Sequence, residues 1–302
     1  MAGKQTKKQK ASLVTASELA QASEYFKSND VLLIPPIMRA AYSDRMAWIL
    51  SSMSHLAYNR FEDDPKACEL FIARLKSGGF TLIETFNSDK TDTQAFLAEN
   101  GDFAVLAFRG TELTKKKDVL TDVMATQLSV IEGRVHSGFR TAYESVRESI
   151  EKCLLGMDEI PVYITGHSLG AALATIATQE LENTPTFRNR IAACYTFGSP
   201  RVGNSQYDKS FKAPIYRMVN TTDIVTVIPL LVMGYMHIGD VRFLGRKDGD
   251  FSRRVPILTR VLLFAAAMLR LFGPWVGDHA IVEYRRKLEA IAEKRNSVIH
   301  SQ

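Results

Sequence analysis

The sequence predicts an α/β protein built on a mostly parallel sheet. Three observations carry this reading. Short apolar runs alternate with helix-periodic stretches from Phe103 onward. Phe103–Phe108 is apolar at every position, as a strand covered on both faces requires. A third run, Pro161–Thr165, passes straight into Gly166-His-Ser-Leu-Gly170 and then into a helix-forming stretch. A chain of 302 residues buries a large core. With 46% hydrophobic and 24% charged residues it is neither disordered nor fibrous. No linker, repeat or low-complexity stretch divides it. The expected organisation is a basic tail and lead-in helix over 1–30, then one domain over 31–302.

The elements follow in order. Residues 12–30 read as a polar helix or fraying lead-in, and Ile34-Pro-Pro-Ile37 breaks any helix there. Between Ser43 and Arg60, Met46, Ala47, Ile49, Leu50, Met53 and Leu56 recur at helical spacing. Phe80–Phe86 and Thr93–Leu97, separated by the polar turn Asn87–Asp92, predict an antiparallel edge hairpin. After the strand at 103–108 come a helix from Gly138 to Leu155, the strand at 161–165 and a helix over Ala171–Leu181. Strands at Ile191–Phe197 and Ile215–Val219 follow, and a basic amphipathic helix runs from Ala280 to Arg295. Strands alternating with helices imply right-handed crossovers between parallel neighbours.

The net charge of +5 is concentrated at one end. Lys4, Lys7, Lys8 and Lys10 supply four of the basic groups, and the remaining 34 nearly balance 33 acidic ones. No aromatic-interleaved basic patch follows that tail, so no nucleic-acid partner is expected. Ala11–Asp30 lacks the apolar core of a signal peptide. The longest apolar run, Val261–Leu269, is far short of the roughly 20 residues that span a bilayer. Cys68, Cys153 and Cys194 cannot all pair and lack metal-binding spacing. The expected compartment is cytoplasmic, with membrane association or export by a signal-independent route as the remaining options. No His/Asp/Glu cluster has metal spacing and no Gly-rich loop fits a nucleotide, so no cofactor and no metal is expected.

Gly166-His-Ser-Leu-Gly170 carries the chemistry. In a Gly-x-Ser-x-Gly turn between strand and helix, the serine is exposed on a strained bend and the glycines remove side chains that would collide. Ser168 is then a nucleophile in need of a base and a carboxylate to orient it, in the chain order serine, acid, histidine. Three histidines follow Ser168: His237, His279 and His300. His279, in a loop just before the last helix, is the expected base, and His237 is the runner-up. Asp223, just beyond the strand at 215–219, is the expected acid, ahead of Asp278 and Asp240. The oxyanion donors are expected from Leu169 and from Thr111, which closes the turn Phe108-Arg-Gly-Thr111.

With these pieces the chain resembles the class 3 lipase family, the fungal-type triacylglycerol lipases and their relatives, as a bacterial-type member without a signal peptide. The matching motifs are Phe108–Thr111, Asp118-Val-Leu-Thr-Asp122, Val135-His-Ser-Gly-Phe139, Thr165–Gly170, Tyr195–Asn204, Asp223 and Gly277-Asp-His279. The resemblance implies an α/β-hydrolase fold, a Ser168–Asp223–His279 triad and an oxyanion hole at Thr111 and Leu169. It also implies a lid from Leu113 to about Leu128. Lys115, Lys116 and Lys117 open that segment, and Val119, Leu120, Val123 and Met124 form an apolar stripe.

The implied function is a serine ester hydrolase cleaving lipid acyl esters through an acyl-enzyme. The alternatives are a phospholipase A1, a short-chain or monoacylglycerol esterase or, in another class, a non-catalytic membrane-surface protein. Seven basic residues between Arg242 and Arg270 flank an apolar stretch. Together with the lid they predict peripheral contact with an anionic lipid interface.

Overall fold

The computed structural model describes residues 13–26, 41–62, 64–110, 127–220, 223, 225–245, 249, 251–252 and 279–300. Its centre is a sheet in the order β1-β2-β3-β6-β7-β8-β9-β10. The strands are β1 Thr81–Ser88, β2 Thr93–Glu99, β3 Ala104–Phe108, β6 Val162–His167, β7 Ile191–Phe197, β8 Ile215–Asn220, β9 Asp240–Leu244 and β10 Phe251–Ser252. From β3 to β9 neighbouring strands run parallel, while the β1-β2-β3 edge and the β9-β10 pair are antiparallel. The predicted α/β architecture and its edge hairpin are therefore present. Strands β3, β6 and β8 are buried at every position, and β3 accordingly reads as an unbroken apolar run.

Helices cover both faces. On one lie α1 Ala16–Ser23, α2 Asp44–Leu56, α3 Pro65–Ser77 and α7 Ile281–His300; on the other lie α4 Ser137–Leu155 and α5 Leu169–Asn183, with the short α6 Ser205–Asp208. α2 starts where Ser43 Oγ accepts the Met46 N–H, and α3 starts where Asp64 caps Lys66 with Pro65 at its first position. The lead-in helix α1 is docked: beyond its end Phe26 is fully buried edge-on to Trp48 and beside Phe80.

Three elements go beyond the sequence reading. α3 lies between the predicted helix and the hairpin, with Phe71 and Leu75 buried. A two-stranded sheet pairs β4 Gln127–Val130 with β5 Gly133–His136. The far edge is extended by β9 and β10. β4 occupies the last two positions of the expected lid; its residues Leu113–Met124, like Thr111, lie outside the described residues. Arg242, counted among the lipid-facing basic groups in the sequence reading, is instead buried in β9. Its guanidinium stands 4.9 Å from the Tyr42 ring centroid and pairs with Asp240. Most of the apolar basic stretch, 253–278, is outside the described residues.

Candidate active site

Ser168 stands between β6 and α5 with φ 58° and ψ −127°, a conformation that is costly for a residue with a side chain. Close packing enforces it. A Cβ on Gly166 would strike the Gly170 carbonyl, and one on Gly170 would strike the Phe108 carbonyl and come 2.8 Å from the Arg109 carbonyl carbon. Only glycines let the helix start this near β3. The Ser168 N–H donates to the Phe197 carbonyl at 3.0 Å, fixing the turn to β7. Leu169 is the first residue of α5, so its N–H has no partner within the helix and lies at the positive end of the dipole. On the other side of the turn, Arg109 pairs with Glu62 and anchors the exit of β3.

The expected acid and base arrive from distant parts of the chain. Asp223 follows the carboxyl end of β8, and His279 precedes α7. His279 Nδ1 and Asp223 Oδ2 are 2.8 Å apart, with both side chains wholly buried. The same Oδ2 accepts the Tyr284 hydroxyl at 2.6 Å, and Oδ1 accepts the Val225 N–H at 3.0 Å. Three donors thus converge on one carboxylate. Burial, reinforced by Asp223, holds the Tyr284 phenol well above its ordinary pKa and therefore protonated. The gap between them is tight: a Cβ on Gly198 would be 2.7 Å from Asp223 Oδ2 and 3.0 Å from the His279 ring. Ser168 Oγ and His279 Nε2 are both buried and without a hydrogen-bond partner. Such pairs commonly tighten only when substrate is bound.

A second chain of contacts positions His279 from behind. His167 Nε2 meets the His279 backbone carbonyl at 2.6 Å, and His167 Nδ1 meets the Tyr58 hydroxyl at 2.7 Å. A carbonyl only accepts, so Nε2 carries the proton, and Nδ1 accepts from Tyr58. One donor and one acceptor describe a neutral ring. Burial first, and His279 second, push the His167 pKa well below its ordinary value, in agreement with that tautomer.

Of the predicted residues, the structure brings Asp223 and His279 into contact and sets Ser168 on the same carboxyl edge of the sheet. The runners-up fall elsewhere. Asp240 opens β9, which runs parallel to β8, so it lies at the opposite edge, and His237 leads into it. Asp278 is outside the described residues. The sequence reading missed Tyr284 and Tyr58 and gave His167 no part in the site. Tyr284 shares the buried face of α7 with Ile281, Leu288 and Ile291, so its spacing reads as core. Its hydroxyl was the available signal, because a buried phenol needs a partner.

A sequence profile of the family described as lipase (class 3) matches residues 105–233. The secreted mono- and diacylglycerol lipase A of Penicillium cyclopium is 33% identical over 220 residues, covering 61% of this chain and 69% of that protein. The chain belongs to the class 3 lipases. A lipase of Rhizopus niveus is 31% identical over 171 residues, covering 52% of this chain, which spans only 43% of that relative's length. Among solved structures, the mono- and diacylglycerol lipase of Aspergillus oryzae superposes with a TM-score of 0.57 at 25% identity, over 70% of this chain and 82% of that one. The sheet order and the strand–serine–helix turn described above are thus those of a class 3 lipase with the α/β-hydrolase fold.

Proposed function

We propose that this protein is a serine carboxylic-ester hydrolase acting on lipid acyl esters. The observation that carries the proposal is the buried 2.8 Å Asp223–His279 pair, delivered to the same sheet edge as the strained Ser168. In this reading Ser168 Oγ attacks the ester carbonyl carbon while His279 Nε2 takes its proton. The Leu169 N–H and Thr111 stabilise the resulting oxyanion. His279 then hands the proton to the departing alcohol, leaving an acyl-serine. A water, deprotonated by the same nitrogen, attacks that acyl group, and the proton returns to Ser168 as the carboxylic acid leaves. Asp223, itself held by Tyr284 and Val225, fixes the tautomer in which Nε2 is free to act. Family membership supports a glyceride substrate, with phospholipid acyl ester as the alternative.

The test is covalent labelling by a fluorophosphonate probe, alongside hydrolysis of p-nitrophenyl esters of increasing chain length, diacylglycerol and phosphatidylcholine. Labelling confined to Ser168 and lost in Ser168→Ala is expected. Labelling that survives the substitution overturns the assignment. The ester series separates lipase, phospholipase and short-chain esterase.

A further inference from the structure

A cavity of about 320 Å³ lies among α1, α2 and α3, lined by Gln21, Tyr25, His55, Tyr58, Asn59 and Arg74. Ser168, Asp223 and His279 are not among its walls.

Its positive charge is uncompensated. Arg74 gives one guanidinium nitrogen to Asn59 Oδ1, and its guanidinium lies 6.0 Å from the Tyr25 ring centroid. From α7, the Arg285 guanidinium stands 4.3 Å from the same centroid. It donates to Ser52 Oγ at 2.9 Å and to the Tyr25 carbonyl at 2.6 Å. Among the described residues neither arginine forms an ion pair with a carboxylate, and every acceptor they meet is neutral. Two half-buried cations without a counter-ion leave a local field that draws anions.

His55 is set to respond to that anion. Tyr25 has one hydroxyl hydrogen, which it donates to the Ser52 carbonyl at 3.1 Å. The phenol oxygen therefore accepts from His55 Nδ1–H at 2.8 Å, and His55 Nε2 carries no proton. Burial, then Arg285 and Arg74, lower the His55 pKa to about 4. Tyr25 and Tyr58 also face the ring, His167 acts on it from the site, and Glu289 acts on Tyr25. An anion beside Arg74 offsets both arginines and gives a protonated Nε2 an acceptor.

We propose that this cavity binds a small monocarboxylate, with Arg74 and His55 as its donors and the Tyr25 and Tyr58 rings beside its tail. A planar carboxylate matches the part of the Arg74 fork that Asn59 leaves open, and aromatic walls suit a short apolar tail. Binding then tightens as pH falls, because the bound anion stabilises the His55 cation. Restoring the ordinary imidazole value of about 6.5 makes Kd about tenfold lower at pH 5.5 than at pH 8. Tyr58 joins the cavity to the site, since its hydroxyl donates to His167 Nδ1 at 2.7 Å. The reaction proposed above releases carboxylates and is one source of the ligand, but the cavity does not require that reaction.

The experiment is calorimetric titration of the full chain with sodium butyrate at pH 8 and 5.5, with inorganic phosphate as a second titrant. One butyrate per chain is expected, about tenfold tighter at the lower pH and unchanged in Ser168→Ala. Arg74→Gln keeps a donor for Asn59 and removes the charge, so it should weaken butyrate at least about tenfold. Arg74→Lys, which keeps the charge and loses the fork, should fall between. His55→Gln should bind with the same Kd at both pH values, and urea midpoints at pH 8 check that each variant folds. Absence of butyrate binding, equal parental affinity at both pH values, or parental affinity in folded Arg74→Gln overturns the proposal. So does tighter binding of phosphate, which would make this a site for a multivalent anion. So does displacement of butyrate by a phosphonate attached to Ser168, which would put the anion in the active site. A chain that hydrolyses no ester yet binds butyrate through Arg74 and His55 would remove the proposed reaction and leave this site standing.

Discussion

The proposed nucleophile side and the proposed base side of the site are built in different ways. Ser168 is held by backbone alone: two glycines, one strained residue and the start of a helix, all within Gly166–Gly170. His279 is held by side chains and carbonyls drawn from Tyr58, His167, Asp223 and Tyr284, which span more than 220 residues of chain. The first arrangement has no spare space, so errors there are steric and act on folding. The second is a set of hydrogen bonds, so errors there shift the ring or its charge balance and act on turnover.

Both sides must contribute to one reaction, and the largest effects test that. Ser168→Ala and His279→Ala should each lower kcat/KM about 10⁴-fold or more, because triad members act as a unit. His237→Ala should cost less than about tenfold. Steady-state kinetics on a soluble ester decide it, and a His237 effect as large as that of His279 would dissolve the comparison.

Next in size is Gly170→Ala. Its methyl would overlap the Phe108 carbonyl, which belongs to a buried strand and cannot yield. A loss of about 4 kcal/mol in urea unfolding, or failure to fold, is expected. A stable but slow Gly170→Ala enzyme would show that the nucleophile side also fails through chemistry.

Acid sensitivity of folding should come from two buried histidines, His167 of the base side and His55 of α2, whose Nδ1 lies 2.8 Å from the Tyr25 hydroxyl. Burial, aided by Arg285 and Arg74, lowers the His55 pKa to about 4, and burial with His279 also lowers that of His167. Both folded-state values lie below the unfolded one of about 6.5, so the unfolded chain takes up protons first as pH falls. Their stabilising contribution is complete above pH 6.5 and drains away towards pH 4, by up to about 3 kcal/mol for His55. Urea midpoints measured from pH 8 to 4 should fall most steeply across that window, and His55→Gln should flatten the curve.

Smallest is Tyr284→Phe, which removes one donor from Asp223 and keeps the ring in the core. About a tenfold loss in kcat is expected, with KM and the unfolding midpoint nearly unchanged. An equal loss in stability with unaltered kcat would make Tyr284 a packing residue only.

This division also explains what the sequence revealed. The turn at Ser168 and the strands feeding it were legible because each depends on neighbours a few residues away: an apolar run, a glycine, a helix start. Asp223 and His279 were legible through chain order and their places at strand and helix ends. Tyr58 and Tyr284 were not, because nothing in the residues around either one marks a partner more than 60 residues distant. α3 was missed although Asp64 and Pro65 mark its start, since only Phe71 and Leu75 are buried and the apolar periodicity is weak.

The docking of α7 also has a meaning in time. His279 and Tyr284 enter the chain 111 and 116 residues after Ser168. At about 5–20 residues per second, translation leaves an interval of roughly 5–20 s in which the strand–serine–helix turn exists and the imidazole does not. A nascent chain therefore carries Ser168 at the sheet edge without its proposed base until α7 settles against α2. On the proposed mechanism, Ser168 gains its base only when that interval has passed.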